Sequence, residues 1–111
     1  GQRYTDIVWA AGLFEGEGSI SAPKKSPNSR IISIAMTDLD VMEKFAEVVG
    51  YGKLYGPYSY KKNPHWKQIW QWSICKKTEV IRVLKMFLPH FGKRRSEKAI
   101  EAITHLNEIT N

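Results

Sequence analysis

The chain has 111 residues, and its 17 Lys and Arg outnumber 11 Asp and Glu to give a net charge of +6. That length buries one hydrophobic core but not two, so residues 1–111 read as a single domain, and the charge suits a polyanionic partner. The lone Cys75 excludes an internal disulfide, no Cys or His spacing fits a zinc site, and no apolar run approaches a membrane span.

The start lacks the basic-then-apolar order of a signal peptide. The expectation is an unsecreted protein, cytoplasmic in a bacterial or phage-infected cell, or organellar. Gly1 stands where a complete chain begins with Met, so a preceding segment stays open.

Asp6 to Gly16 is apolar almost all round. On a helix at 100° per residue, Ile7, Ala10, Ala11 and Phe14 form one stripe, and Trp9, Gly12, Leu13 and Gly16 form the opposite one. A helix apolar on both sides must be buried on both. The domain's own core takes one stripe, so the other needs a partner. Gly18 to Pro23 and Arg30 to Met36 read as two strands joined by a Lys-Lys-Ser-Pro-Asn-Ser loop. Thr37 is the expected N-cap of a second helix, with Asp40 returning the bond, Leu39, Met42, Ala46 and Val49 inward, and Gly50 ending it. Lys53 to Tyr60 and Lys67 to Cys75 form a second strand pair rich in aromatics. Thr78 to Leu88 is helical with Val80, Leu84 and Phe87 inward, stopping at Pro89. Ser96 to Ile109 closes the chain as a helix with Ile100, Ile103 and Leu106 inward. Two hairpins with flanking helices imply an α+β fold whose antiparallel sheet is covered on one face.

Within the first helix, Gly12 and Gly16 stand one turn apart, although each interior glycine costs about 1 kcal/mol relative to alanine. A face without side chains lets a second helix approach backbone to backbone. Gly16 alone also reads as a helix-terminal glycine; Gly12 does not. Two such helices related by a twofold axis bring their ends together, and Glu17 sits at that end. Paired carboxylates at the negative ends of two helix dipoles repel unless a cation lies between them, and hard oxygen ligands favour Mg²⁺. Glu15 points elsewhere by helix direction and reads as helix-end or surface chemistry.

Ala10-Ala11-Gly12-Leu13-Phe14-Glu15-Gly16-Glu17-Gly18 resembles the LAGLIDADG motif of homing endonucleases and maturases, with Ala for the first Leu, Phe for Ile, Gly for Ala and Glu for both Asp. The order of helices and hairpins is also similar to that family's αββαββα core, followed here by a C-terminal helix, over nearly the whole chain. The resemblance implies a metal-dependent DNA endonuclease using Mg²⁺ (or Mn²⁺), held by Glu17 and the carbonyl of Gly16. It further implies supporting roles for Asp38, before the second helix, and for Lys93 or Arg94, in the basic turn after the third. Asp38 also reads as helix-start electrostatics, and the basic pair as a solvated or backbone-binding segment. One motif per chain implies a homodimer through Trp9, Gly12, Leu13 and Gly16, acting on double-stranded DNA with a palindrome-like target.

The uncovered sheet face is the expected reading surface. Strand alternation places Ser19, Ser21 and Lys25 on the side of Glu17, followed by Ile31, Ser33 and Ala35, while Ile32, Ile34 and Met36 face the core. In phase, the second hairpin offers Lys53, Tyr55, Lys67, Ile69 and Gln71, with Trp70, Trp72 and Ile74 inward. The loops Lys24-Lys25 and Lys61-Lys62 suit phosphates. Tyr55, Tyr58, Tyr60 and Trp66 read as packing before a base-stacking platform, and a bulge at Gly56-Pro57 would exchange the faces. The alternatives are a non-cleaving maturase or regulatory DNA-binding module on the same fold, and an RNA-binding α/β module without a dimer, which leaves the second stripe unexplained.

Overall fold

The first helix, α1 (Gln2–Glu17), begins four residues earlier than its apolar stripe requires. Its added turn is held from outside: the Arg3 guanidinium donates to the Val48 carbonyl at 2.7 Å, and the Tyr4 ring meets the His90 ring edge-on at 5.6 Å. The chain is described here by a computed structural model covering residues 2–59, 62–63 and 65–109. Strands β1 (Gly18–Ser21) and β2 (Ile31–Met36) follow, then α2 (Leu39–Val49), β3 (Lys53–Tyr58), β4 (Ile69–Ile74) and α3 (Lys77–Phe87). A 3₁₀ turn at Leu88–His90 leads into α4 (Lys93–Glu108).

The strands form one antiparallel sheet in the order β1-β2-β4-β3. Period-2 alternation sorts its faces as expected. Ile20, Ile32, Ile34, Trp72 and Ile74 are buried, while Ser19, Ser21, Ala35, Lys53 and Tyr55 are exposed. The buried face packs against the helices around Phe14, Phe45 and Phe87. Phe45 meets Trp72 edge-on at 4.7 Å, and Phe14 lies 5.7 Å from Phe87. Trp72, buried to its indole nitrogen, donates to the Tyr51 carbonyl at 3.0 Å, so its polar atom is satisfied. Among the described residues no helix is long and apolar enough to cross a membrane.

The expected inner stripe of α1 is the one observed: Ile7, Ala10, Ala11 and Phe14 are all buried. Other expectations need correction. The N-cap of α2 is Asp38 rather than Thr37, and its side chain makes no capping bond. Strand β2 ends at Met36, opposite Trp70, where expected, and the helix begins one residue later than expected, at Leu39. Phe45 and Val48 join Met42 and Val49 in the core, with Leu39 and Ala46 only partly buried. Gly50 ends the helix as expected, in the left-handed conformation at φ 78° that glycine adopts without a steric cost.

The last helix also departs from expectation. It starts at Lys93, with Gly92 as cap, so the basic segment is its first turn and not a loop. Ile100 faces outward, half exposed, while Ala99, Ala102 and Leu106 are buried. Small residues let α4 lie close to α3 and β1, and that proximity decides its rotation.

Candidate active site and DNA interface

The second stripe of α1 is covered only in part: Trp9 and Leu13 pack against the edge of the core, and the two glycines are open. Gly12 and Gly16 are exposed, and a Cβ built on either meets nothing within 4 Å. Val8, exposed and outside the expected stripe, extends the strip, with partly buried Trp9 and Leu13 beside it. The Lys44 ammonium sits 4.2 Å from the centre of the Trp9 ring. Gly16 does not have the positive φ of a helix-terminal glycine; among the described residues only Gly50, Gly52 and Gly56 do. Neither local conformation nor packing within the chain therefore accounts for the Gly12–Gly16 pair.

At the end of this strip the chain passes directly from α1 into β1. Gly18 permits the join, because a Cβ there would lie 2.5 Å from Phe14 Cδ2 and 2.6 Å from the Phe14 carbonyl. A cleft of about 450 Å³ opens beside the join, lined by Glu15, Gly16, Gly18, Ser19 and Ile20 and, from α4, by Arg94, Arg95 and Lys98. Glu15 holds its two sides together. Its carboxylate accepts from the Gly92 N–H, at the start of α4, and from Arg95 Nε at 3.4 Å, while its own carbonyl accepts from Arg95 Nη2 at 3.1 Å. Arg95 also lies over the Phe14 ring, 5.4 Å from its centre.

The first turn of α4 carries Lys93, Arg94 and Arg95 and no acid. Cations at a helix N-terminus are unfavourable by about 0.3–1 kcal/mol each. Glu15 offsets one of them. Among the described residues Arg94 and Lys98 have no ion-pair partner within 4 Å, although the Lys98 charge helps hold the Glu101 carboxyl low, so the cleft has a positive wall. An anion is the complementary ligand.

Glu17, the last residue of α1, is exposed, and no hydrogen bond or ion pair engages it among the described residues. The Gly16 carbonyl lies in the final turn, where helix carbonyls lack donors from their own helix. Asp38 is exposed at the start of α2 and does not line the cleft; Lys93 is exposed in the first turn of α4. No three His, Cys, Asp or Glu side chains among the described residues converge as a metal site.

Across the open sheet face, strand register sets two rows. Ser19, Ser33, Ser73 and Lys53 run across all four strands; Ala35, Gln71 and Tyr55 run across three. Ser21 pairs with Ile31 in a shorter row. Ser73 was missed in the sequence, although it shares the parity of Gln71. The bulge occurs between Tyr55 and Tyr58, but beyond the reading residues: Tyr55 still opposes Gln71, and Tyr58, opposite Ile69, is returned to the same face. Lys25 and Lys67 lie outside the strands, as do the exposed Lys24 and Lys62. Lys61 and Tyr60 fall outside the described residues. Arg95 and Lys98 were not legible as site residues from the sequence; the i, i+4 spacing of Arg94 and Lys98 was the available signal.

No family model and no curated protein matches the sequence. Solved structures do match. The homing endonuclease I-CvuI, in complex with its target in the presence of Ca, superposes at a TM-score of 0.73 with 11% identity, over 99% of this chain and 71% of that one. The archaeal intron-encoded homing endonuclease I-Vdi141I, complexed with DNA, gives 0.68 and 16% identity over 96% and 70%. The LAGLIDADG homing endonuclease I-GzeII, in complex with its DNA target, gives 0.69 and 16% over 92% and 35%. Along nearly its whole length, then, this chain has the fold of the LAGLIDADG homing endonucleases.

Proposed function

We propose that the protein is a homodimeric, site-specific endonuclease that hydrolyses both strands of duplex DNA with a divalent metal. The observation that carries this reading is the uncovered Gly12–Gly16 strip leading directly to an unengaged carboxylate, Glu17. A strip without side chains is filled well by an identical strip, and twofold pairing sets Glu17 near the partner subunit's Glu17. That I-CvuI and I-Vdi141I are solved on DNA supports the substrate class.

The residues fit a metal only as a shared set. At the end of α1 one chain supplies the Glu17 carboxylate and the Gly16 carbonyl, which are oxygen donors suited to Mg²⁺ or Mn²⁺ but too few alone. I-CvuI was crystallised on DNA with 2 mM Ca and with 2 mM Mg, which supports a divalent ion. An ion held by Glu17 and the Gly16 carbonyl would supply activation of water and charge stabilisation at the leaving oxygen of a phosphodiester. Arg94 and Lys98, with Lys93 beside them, draw a phosphate into the cleft and neutralise charge gathering on its oxygens. Glu15 keeps α4 seated so that this wall faces the end of α1. Asp38 balances the positive end of α2. Lys24, Lys25 and Lys62 meet flanking phosphates while the open sheet enters the major groove, and twofold symmetry gives a palindrome-like target.

The test is plasmid cleavage at a selected target in Mg²⁺, in Ca²⁺ and in chelator. Glu17→Gln preserves shape and removes charge, so cutting should fall by more than roughly a hundredfold while DNA binding persists. Glu15→Gln is the control: its amide oxygen still accepts from Gly92 and its backbone carbonyl from Arg95, so although the Arg95 ion pair is lost, cutting should fall far less than in Glu17→Gln. Equal cutting by Glu17→Gln, or by the parent in chelator, refutes the mechanism. A parent that binds specifically and never cuts identifies a maturase or regulatory protein instead.

A further inference from the structure

The open sheet face carries almost no charge. The four strands contain no Asp, Glu or Arg, and Lys53 is their single charged residue. The excess positive charge lies around this face, in the hairpin loops and on α4. Phosphate contacts and base contacts are thus assigned to different residues: cations at the rim for the backbone, neutral side chains at the centre for base edges.

Base edges differ in what they ask for. Guanine offers two acceptors and is read by Arg or Lys, cytosine offers a donor and is read by a carboxylate, adenine suits the paired donor and acceptor of Gln, and the thymine methyl suits an apolar group. The central row places the partly buried Gln71 between the small, exposed Ala35 and the exposed Tyr55. Ile31, opposite Ser21, and Ile69, opposite Tyr58, are partly buried and lie at opposite ends of the face, outside this row. The serines accept either pair. Only Lys53, at the far end of its row, offers a guanine contact from a strand.

The geometry points to a preferred target in which the base pair beneath the central row of each sheet is A·T, read by Gln71 with Ala35 beside it, with any guanine read from a strand confined to the position reached by Lys53. This rests on the proposed function and names its substrate class.

The experiment is selection of bound duplexes from a randomised library with the full chain in Ca²⁺, for the parent and for Gln71→Lys. The parent should return half-sites with an A·T centre. Gln71→Lys should exchange A·T for G·C at one position per half-site, with a preference on the order of tenfold to a hundredfold there. Thermal melting checks that the variant folds, and the parent's selected sequences stand independently of it. A specific but G·C-dominated centre, or a folded Gln71→Lys that selects the parent's sequence, overturns the inference and leaves the endonuclease reading intact. Salt-sensitive binding with no sequence preference overturns both.

Discussion

Gly12→Leu separates the two roles a glycine in α1 can have. In the isolated chain nothing within 4 Å opposes a Cβ at this position, and the φ is not left-handed. Helix propensity alone should then stabilise the monomer by about 0.5–1 kcal/mol. In a dimer packed through this strip, the same change forces a side chain between two closely apposed backbones. Overpacking costs about 1–3 kcal/mol per site, and symmetry enters it twice, so dimerisation should weaken by about 2–6 kcal/mol, or roughly 30-fold to 10⁴-fold in Kd. Sedimentation velocity across a concentration series measures the second effect. Urea unfolding at a concentration where the monomer dominates measures the first. Opposite signs are the expected result. A variant that dimerises as the parent does refutes packing through the Gly12–Gly16 strip, and a destabilised monomer refutes the argument that the strip is open within one chain.

Two further outcomes follow from charge. Alanine at Lys24, Lys25 or Lys62 should weaken duplex binding similarly across sequences and flatten the log–log salt dependence by about one unit for each phosphate no longer neutralised, measured by fluorescence anisotropy; an unchanged slope removes these loops from the docking surface. The Arg30 guanidinium, first by hydrogen bonding at 3.0 and 3.2 Å and then by its charge, holds the exposed Glu101 carboxyl below the ordinary glutamate range. Because the folded value is the lower one, the pair contributes stability above the unfolded pKa and loses it as pH falls through the folded pKa. Solvent screening keeps this under about 1 kcal/mol, so Glu101→Gln should cost that much at pH 7 and converge with the parent in acid, as read by urea midpoints; a gap that persists at low pH refutes the assignment.

What the sequence determined by itself was set by local period and local chemistry. Ile7, Ala10, Ala11 and Phe14 could be assigned to the core because apolar residues at helical spacing share a face wherever the helix lies. The strand faces followed from an alternation that survives until the bulge, and Gly50 from the left-handed turn that ends a helix. The reading of Glu15 as helix-end or surface chemistry needs correction, because its carboxylate bonds to α4; only its angle away from Glu17 along the helix was legible. The identity of its partners was not, since Gly92 lies 77 residues away and only the docking of α4 on α1 brings them together. The same docking makes a cleft wall of Arg94 and Lys98, and turns Ile100 outward in favour of Ala99 and Ala102. A helix with several apolar residues admits more than one buried face, and its neighbours select among them by how closely they approach. Periodicity is a property of the residue string, whereas close approach belongs to elements distant in the chain, so tertiary structure alone decided the composition of the cleft.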